Sequence, residues 1–190
     1  MKVYVVDNGG QWTHREWRVL RDLGVDSIII PNTTSAEFIE KEGIDALVLS
    51  GGSPRIGKEK MKLGRTAEYF DLKLPIFGIC VAHQYIAVHY GGSAGKAKIP
   101  EYGKTLCYID KENIIFKGLP KKFYVWESHN DEVKKVPKGF EVLAHSDNCM
   151  VQALCSKNRK IYSVQFHPEV EHTEYGLEIF KNFLSIVKEA

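Results

Sequence analysis

The chain has 190 residues, of which 44% are hydrophobic and 11% aromatic. It is therefore long enough to bury a hydrophobic core without help from disulfides or structural metal ions, and disorder is not expected. A formal net charge of only +2 gives no electrostatic case for nucleic acid as a main partner. No apolar run reaches membrane-spanning length, so no membrane partner is expected either.

Cysteine usage and the N-terminus point to the cytoplasm. The four cysteines, at positions 80, 107, 149 and 155, match no Cys-x-x-Cys pattern, and residues 1–7 resemble a first strand rather than a signal peptide. Reduced thiols in the cytoplasm are therefore expected. Cys149 and Cys155 are interpreted as buried thiols, with an incidental metal-binding pair as the alternative.

Strand and helix signals alternate over the first ninety residues. Apolar or β-branched runs predict strands at 2–6, 27–30, 46–49 and 76–79. Apolar spacing and local signals predict helices at 14–23, 34–42, 58–70 and 81–90, the second opened by a capping box of Thr34 and Glu37. This alternation predicts a parallel sheet covered on both faces, which binds ligands at the carboxyl ends of its strands.

The second half of the chain changes character. Short β-rich segments at 104–109, 123–126, 140–145, 150–154 and 161–165 predict an antiparallel extension whose last strand returns to the main sheet. A final helix at 174–187 places Leu177 on its apolar face. We therefore expect one domain over residues 1–190, an α/β fold with a doubly wound, mostly parallel central sheet and a smaller antiparallel β extension.

Cys80 follows a buried strand directly and precedes a helix, in the segment Pro75-Ile-Phe-Gly-Ile-Cys80-Val-Ala-His-Gln84. A nucleophile at a sharp strand-to-helix turn projects from the sheet toward substrate. The helix N-terminus favours a thiolate, which is the form that attacks an amide carbon.

A second segment, Ser163-Val-Gln-Phe-His167-Pro168-Glu169, supplies partners for the thiol. Pro168 disfavours a helical His167, so we expect an extended chain in which His167 and Glu169 face the same way. Cys80, His167 and Glu169 then form a nucleophile, base and orienter. The alternative is a surface turn after an edge strand.

An attacked amide needs donors for its developing oxyanion. We expect these donors to be the backbone N–H groups of Val81, next after the nucleophile, and of Gly52 in the Gly51-Gly52 loop after the third strand. Glycine there lets the backbone approach substrate closely.

Three segments together resemble those of class I glutamine amidotransferases over essentially the whole chain. They are Ser50-Gly51-Gly52, Gly78-Ile-Cys80-Val-Ala-His83-Gln84 and Gln165-Phe-His167-Pro-Glu169-Val170. The resemblance implies that Cys80 forms a γ-glutamyl thioester, that His167 moves the proton and that Glu169 supports His167. It also implies that Gly51 and Gln84 contact bound glutamine, whereas His83 is interpreted as a structural residue.

The chain departs from the family pattern at two places. Ala82 stands where the family usually has the second glycine of Gly-x-Cys-x-Gly, so we expect reduced clearance but not inactivity. The glycine loop reads Gly-Gly-Ser-Pro-Arg where the family typically has Gly-Gly-Pro.

Within the family, the segment Val125–Val133 resembles the Trp-x-Ser-His-x-Asp-x-Val element of GMP synthases, and the segments at 7–11 and 167–183 look similar to that branch. The resemblance implies an ATP-pyrophosphatase (synthetase) partner that converts XMP to GMP with ATP and Mg²⁺, and no metal or cofactor in this chain. His129 and Asp131 are expected to couple to the partner; the alternative is that they cap a turn between extension strands.

Three other functions are compatible with the sequence. One is the amidotransferase component of anthranilate or aminodeoxychorismate synthase, against which the Ser128–Asp131 segment argues. Another is a non-catalytic regulatory binding module with the same fold, favoured only by Ala82. The third is a cysteine hydrolase that acts on γ-glutamyl compounds without a partner.

Overall fold

The computed structural model describes residues 1–56 and 63–189. Within these residues nine strands form one sheet: β1 Val3–Asp7, β2 Ile29–Pro31, β3 Ala46–Leu49, β4 Ile76–Ile79, β5 Ser93–Ile109, β6 Lys122–Lys135, β7 Glu141–Ser146, β8 Ala153–Ser156 and β9 Ile161–Val164. The described helices are α1 Thr13–Asp22, α2 Ala36–Glu42, α3 Thr66–Tyr69, α4 Val81–His89 and α5 Gly176–Lys188. None of these helices is both long and apolar enough to cross a bilayer.

The sheet has a parallel half and an antiparallel half, and its strand order is β2-β1-β3-β4-β9-β8-β7-β5-β6. β1 to β4 pair in parallel with one another, and β9 returns to pair in parallel with β4. The strands β8, β7, β5 and β6 continue the sheet in antiparallel pairs. The predicted architecture, including the return of the last strand to the main sheet, is confirmed.

Both faces of the parallel half are buried, which explains its short, continuously apolar strands. Val3 and Val5 of β1 pack with α5 on one face, whereas Tyr4 and Val6 pack with residues of α4 on the other. Such alternation follows from the two-residue period of a strand. Each fully buried aliphatic or aromatic side chain contributes about 1.5–3 kcal/mol to the free energy of unfolding.

The final helix α5 packs its aromatic face on β4. The Phe77 ring meets Phe180 edge to face at 5.6 Å and stacks on Phe183 at 5.4 Å between ring centroids. The prediction that Leu177 shares this buried face is wrong, because its side chain is exposed. Leu177 lies in the first turn of α5.

Several predicted boundaries are corrected by the structure. The N-cap of α2 is Ser35, whose hydroxyl accepts from the Phe38 N–H at 3.2 Å, so the capping box of Thr34 and Glu37 is wrong by one residue. Part of the helix predicted at 58–70 lies outside the described residues, and in the described part α3 begins only at Thr66.

The antiparallel strands β5 and β6 are much longer than predicted. The prediction placed strands at 104–109 and 123–126, whereas the two strands have 17 and 14 residues and form a long ribbon. As a consequence His129 and Asp131 lie inside β6, and the alternative that they cap a turn is wrong. The predicted strand at 150–154 begins three residues later, at Ala153.

Candidate active site

Cys80 lies at the turn between β4 and α4 with φ 53° and ψ −106°. A positive φ is unfavourable for a residue with a side chain and persists only where its surroundings hold it. The Cys80 N–H donates to the Val164 carbonyl of β9 at 2.8 Å, and its carbonyl accepts from the Gln84 N–H at 3.2 Å. These contacts fix the turn and hold Cys80 at the carboxyl end of β4, the position predicted for a nucleophile.

His167 and Glu169 follow β9 and form a close pair. The distance between His167 Nδ1 and Glu169 Oε1 is 2.7 Å, and both side chains are buried. The extended conformation predicted for this segment is wrong, because β9 ends at Val164 and a turn covers Pro168 and Glu169. The turn is held by the Thr173 hydroxyl, which donates to the His167 carbonyl at 2.6 Å.

The thiol and the imidazole meet because β4 and β9 are neighbours in the sheet. Ile79 pairs with Val164, the last residue of β9, so the segments that follow β4 and β9 both begin at the same edge of the sheet. A Cβ built on Gly51 would lie 3.4 Å from Cys80 Cβ and 3.0 Å from His167 Cε1, which places both side chains against the same glycine. The three predicted triad residues are thereby brought together.

The electrostatics of His167 favour its protonated form. Burial lowers the pKa of His167, but the carboxylate of Glu169 and the sulfur of Cys80 outweigh this and hold the pKa well above its ordinary value. The cationic ring is therefore stabilised beside the sulfur, which suits an imidazolium that returns its proton to a leaving amine.

The glycine loop lines the same cavity as Cys80. Asn8 anchors the loop, since its N–H donates to Ser50 Oγ and its side-chain amide donates to the Ser50 carbonyl, both at 2.9 Å. A Cβ on Gly52 would lie 2.3 Å from the Asn8 carbonyl oxygen, so this close approach requires glycine. Val81 begins α4, where its N–H has no partner within the helix.

These groups line a cavity of about 310 Å³, a volume typical of small-molecule sites. Its wall includes both predicted oxyanion donors and all three triad residues: Gly52, Val81, Cys80, His167 and Glu169. The arrangement can attack a carbonyl carbon, stabilise the oxyanion and protonate the leaving group.

The model of the family "Glutamine amidotransferase class-I" matches residues 4–187. The chain belongs to the class I glutamine amidotransferases.

Relatives that match over nearly their full length are named as glutamine-hydrolysing subunits of GMP synthase. The subunit of that name from Thermoplasma volcanium is 54% identical over 190 residues, covering 100% of this chain and 93% of the relative. The one from Methanocaldococcus jannaschii is 52% identical over 185 residues, covering 97% of this chain and 96% of the relative.

Solved structures agree in fold. A crystal structure from Thermoplasma acidophilum superposes with a TM-score of 0.92 at 54% identity, covering 100% of this chain and 94% of that chain. A glutamine amidotransferase from Thermotoga maritima is similar in fold, with a TM-score of 0.74. It is 19% identical, and the superposition covers 100% of this chain and 83% of that chain.

The substrate-binding residues predicted for this amidotransferase line the same cavity. Gln84 of α4 is buried and donates from its side-chain amide to the Asp131 carbonyl at 2.6 Å and to Gln165 Oε1 at 3.1 Å. Gly51 lies between the thiol and the imidazole.

His83, the neighbour of Gln84, takes no part in the cavity. It is fully buried between Ser163 Oγ and the Val151 carbonyl, and burial lowers its pKa to about 3. It is thus an uncharged packing residue.

The two residues predicted to couple to a partner lie beside this cavity on β6. His129 itself is buried, with its side chain 1% exposed, so any coupling through it is indirect. The Asp131 carboxylate accepts from Arg55 Nε at 2.9 Å and Arg55 Nη2 at 2.6 Å. This bidentate ion pair ties the stretch after Gly51-Gly52 to β6.

Sequence reasoning missed several residues of the site. Gln165 places its side-chain nitrogen 3.7 Å from the Cys80 sulfur, and the Trp12 ring meets the His167 ring edge to face at 4.5 Å between centroids. Gln165 belongs to the family-like segment that ends in Val170, which was a usable signal. Trp12 lies in a separate loop, and no local pattern marked it.

Glu16 was also missed, although it lines the cavity. It is buried; one carboxyl oxygen accepts from the Gly51 N–H at 3.4 Å, and the other has no hydrogen-bond partner among the described residues. Burial, with a smaller effect of Glu169, raises the pKa of Glu16 well above its ordinary value. The shift favours the protonated form of Glu16 beside the Gly51-Gly52 loop.

Proposed function

We propose that this chain is the glutaminase component of a two-subunit GMP synthase. It hydrolyses glutamine to glutamate and ammonia, and the ammonia goes to an ATP-pyrophosphatase partner that converts XMP to GMP. The main support is a complete Cys80, His167 and Glu169 triad in a chain that is 54% identical, over all 190 residues, to a protein named as the glutamine-hydrolysing component of GMP synthase.

The first half of the reaction forms a thioester. The Cys80 thiolate attacks the side-chain amide carbon of glutamine, and the N–H groups of Gly52 and Val81 stabilise the oxyanion of the tetrahedral intermediate. Protonated His167 gives its proton to the amide nitrogen. The carbon–nitrogen bond breaks, ammonia leaves, and a γ-glutamyl thioester remains on the sulfur.

The second half releases glutamate. A water molecule attacks the thioester carbon while His167 accepts one of its protons. The carbon–sulfur bond breaks, which restores the Cys80 thiolate and yields glutamate. Glu169 holds the His167 ring through its contact with Nδ1 and stabilises the cationic ring in both halves.

The rest of the proposal concerns the partner. ATP, Mg²⁺ and XMP bind to the ATP-pyrophosphatase partner, and the complex works in the cytoplasm. His129 and Asp131 transmit the state of the partner, since the Arg55–Asp131 ion pair joins β6 to the segment that carries Gly52. Gln84 and Gly51 contact the bound glutamine, and the whole chain acts as one amidotransferase domain.

The test is reconstitution with the ATP-pyrophosphatase component of GMP synthase, ATP, Mg²⁺ and XMP, with GMP formation followed from glutamine or from added ammonia. Cys80→Ala is expected to lower the glutamine-driven rate by more than about 10⁴-fold, as for removal of other catalytic nucleophiles, and to leave the ammonia-driven rate unchanged. Cys155→Ala, which removes another buried thiol, is the matched control.

Two results would contradict the proposal. Wild-type chain that supports no glutamine-driven GMP formation, but supports product formation with an anthranilate or aminodeoxychorismate synthase partner, would reassign the pathway. Failure of a glutamine-like electrophile to label Cys80, with and without partner, would favour a binding module.

A further inference from the structure

A buried polar cluster lies beside the active site, between β5, β6 and the turn after β7. We call it the β6 cluster, and it consists of Glu101, Glu127, His129, Ser146, Cys149 and Gln152. Each of these residues is at most 4% exposed. Burying two carboxyl groups, an imidazole and a thiol together is costly unless their charges are compensated.

The cluster is tightly packed around one imidazole nitrogen. His129 Nε2 is 2.9 Å from Glu101 Oε2 and 3.4 Å from Glu127 Oε2. One ligating atom each from Glu101, His129 and Cys149 can be chosen so that all three lie within 4.8 Å of one another.

The two ring nitrogens of His129 have different partners. His129 Nδ1 lies 3.0 Å from the Asp131 carbonyl oxygen, which only accepts, so Nδ1 carries a proton. The 2.9 Å contact between Nε2 and Glu101 Oε2 requires one further proton, shared by these two atoms. With a metal ion in place of that shared proton, His129 would have the arrangement of metal-ligating histidines, in which the second ring nitrogen donates to a carbonyl.

The cluster also has more acceptors than donors. Glu101 is satisfied, because the Ser146 hydroxyl donates to Oε1 at 2.6 Å and the Gln152 amide donates to Oε2 at 2.9 Å. Both oxygens of Glu127 and the side-chain oxygen of Gln152 are buried without a hydrogen-bond partner among the described residues. Buried carboxyl oxygens without a partner, beside an imidazole, are a setting that a bound cation would satisfy.

We propose that Glu101, His129, Cys149 and Glu127 bind one divalent transition-metal ion of the zinc class. Imidazole, thiolate and carboxylate are the ligand types of Zn²⁺, and four of them complete a tetrahedral site. Tetrahedral zinc separates its ligand atoms by about 3.3–3.6 Å. Binding would therefore move the Glu101 and His129 ligand atoms, now 2.9 Å apart, slightly away from each other and bring the Cys149 sulfur in by about 1 Å. Glu127 reaches the ion by rotating its carboxylate from its place beside Nε2.

Binding balances by loss of protons to solvent. The Cys149 thiol points at the Val151 carbonyl oxygen, 3.7 Å from its sulfur. On binding, the thiol proton and the proton shared by His129 Nε2 and Glu101 leave to solvent, and bonds to the metal replace both contacts. No oxidation or reduction is involved.

The ion would act structurally on the wall of the active site. It would join β5, β6 and the turn that carries Cys149, which are distant in sequence. Ser128 lies between the two β6 ligands, and its carbonyl oxygen is 3.9 Å from the Cys80 sulfur. Fixing β6 at 127 and 129 would therefore fix the position of this wall.

Cobalt(II) is the probe that tests the site, because a thiolate bound to cobalt gives a near-ultraviolet charge-transfer band. The titration uses the full chain with Cys80→Ala, so that the catalytic thiol cannot supply the band. One equivalent of cobalt and the band are expected. Adding Cys149→Ser should abolish the band, whereas Cys155→Ser, the matched buried-thiol control, should retain it.

Glu127→Gln keeps the shape of the site and decides the matter if Cys149→Ser fails to fold. The loss of a ligand should weaken cobalt binding by more than about tenfold, since even loss of second-shell partners costs about 10–100-fold. Glu16→Gln, a buried glutamate outside the cluster, should not change it. Absence of binding, a band that survives Cys149→Ser, or equal affinity in Glu127→Gln would overturn the proposal and leave protons alone to neutralise the cluster.

Discussion

At the scale of single residues, the reactivity of the site depends on how the backbone holds Cys80. Its φ of 53° costs about 1–3 kcal/mol relative to a relaxed conformation. The hydrogen bond to Val164 and the first turn of α4 offset this cost. In return, the sulfur stands next to the helix N-terminus and opposite the imidazole.

Glu169→Gln tests the role of charge at the orienting position. The amide oxygen can still accept from Nδ1, but the negative charge that raises the pKa of His167 is gone. We expect kcat to fall by about 10²–10⁴-fold and the pKa of His167 to move down. The measurement is the glutaminase rate, together with the pH profile of Cys80 alkylation.

His167→Ala provides the comparison. Because it removes the base and not only its orienter, it should cost at least as much as Glu169→Gln and more than Glu169→Ala. If Glu169→Ala is the more damaging change, the assignment of the two roles is wrong.

Glu16→Gln tests the raised pKa of Glu16 beside the Gly51-Gly52 loop. Because the pKa of Glu16 is raised in the folded protein, its contribution to the free energy of unfolding is complete below the ordinary carboxyl pKa. It declines as pH rises toward the folded-state pKa. The amide does not titrate, so Glu16→Gln should gain stability relative to wild type as pH increases.

Denaturant unfolding at about pH 4, near the ordinary carboxyl pKa, and at about pH 8, well above it, measures this difference. The exposed Glu40→Gln on α2 is the control and should show no such trend. A difference between wild type and Glu16→Gln that is independent of pH, or that shrinks as pH rises, would show that Glu16 is ionised in the folded protein.

At the scale of secondary-structure elements, prediction from the sequence worked best where one local signal decides the structure. The parallel strands were found because both faces are buried and the residues are continuously apolar. The β5–β6 ribbon was underestimated because much of β5 is exposed and contains Gly95, Pro100 and Gly103, which indicate turns. In the structure all three lie within one continuous strand, and only Pro100 falls in the register shift between Lys96 and Glu101.

The same distinction, between local signals and long-range contacts, separates the site residues that were predicted from those that were missed. The triad was predictable because each member lies in a short motif beside a predicted strand. Glu16 and the β6 cluster were not, because their burial and pairing depend on contacts between residues far apart in the chain. Glu101 and His129, for example, meet only once β5 and β6 are paired in register.

The helix α4 allows a test of the alanine at the elbow. Ala82 is fully buried within a regular helix, where glycine is less favourable than alanine by about 1 kcal/mol. Ala82→Gly should therefore lower the free energy of unfolding by about 1 kcal/mol or more and leave the glutaminase rate within about threefold of wild type. Urea unfolding and the glutaminase assay check both. A large increase in rate would mean that the methyl group strains the elbow.

At the scale of the whole molecule, the sheet order explains why distant segments form one site. Ile79 of β4 and Val164 of β9 are paired although they lie in opposite halves of the chain. Their parallel pairing brings the carboxyl ends of both strands to the same edge. β6 contributes from the far antiparallel edge because the long ribbon folds back over α4, which it contacts.

Arg55→Ala tests the connection between this ribbon and the oxyanion loop. The Arg55–Asp131 ion pair links residues 76 apart in the chain, and Arg55 lies shortly after Gly52. Without the pair, the Gly52 N–H is no longer held where the oxyanion forms, and misplacement of such a group by about 1 Å can cost up to about 100-fold in rate. The glutamine-driven rate of GMP formation in the reconstituted complex should fall by about 10–100-fold, whereas the ammonia-driven rate should not change.

The control for this change is Arg65→Ala, which breaks an exposed ion pair between Arg65 and Glu68 at the start of α3. It should leave both rates near wild type. Equal loss of the glutamine-driven and ammonia-driven rates in Arg55→Ala would place Arg55 in the contact with the partner, and an unchanged glutamine-driven rate would mean that the loop keeps its position without the ion pair. The partner-free glutaminase rate separates the two explanations, because only a displaced oxyanion loop lowers the rate of the isolated chain.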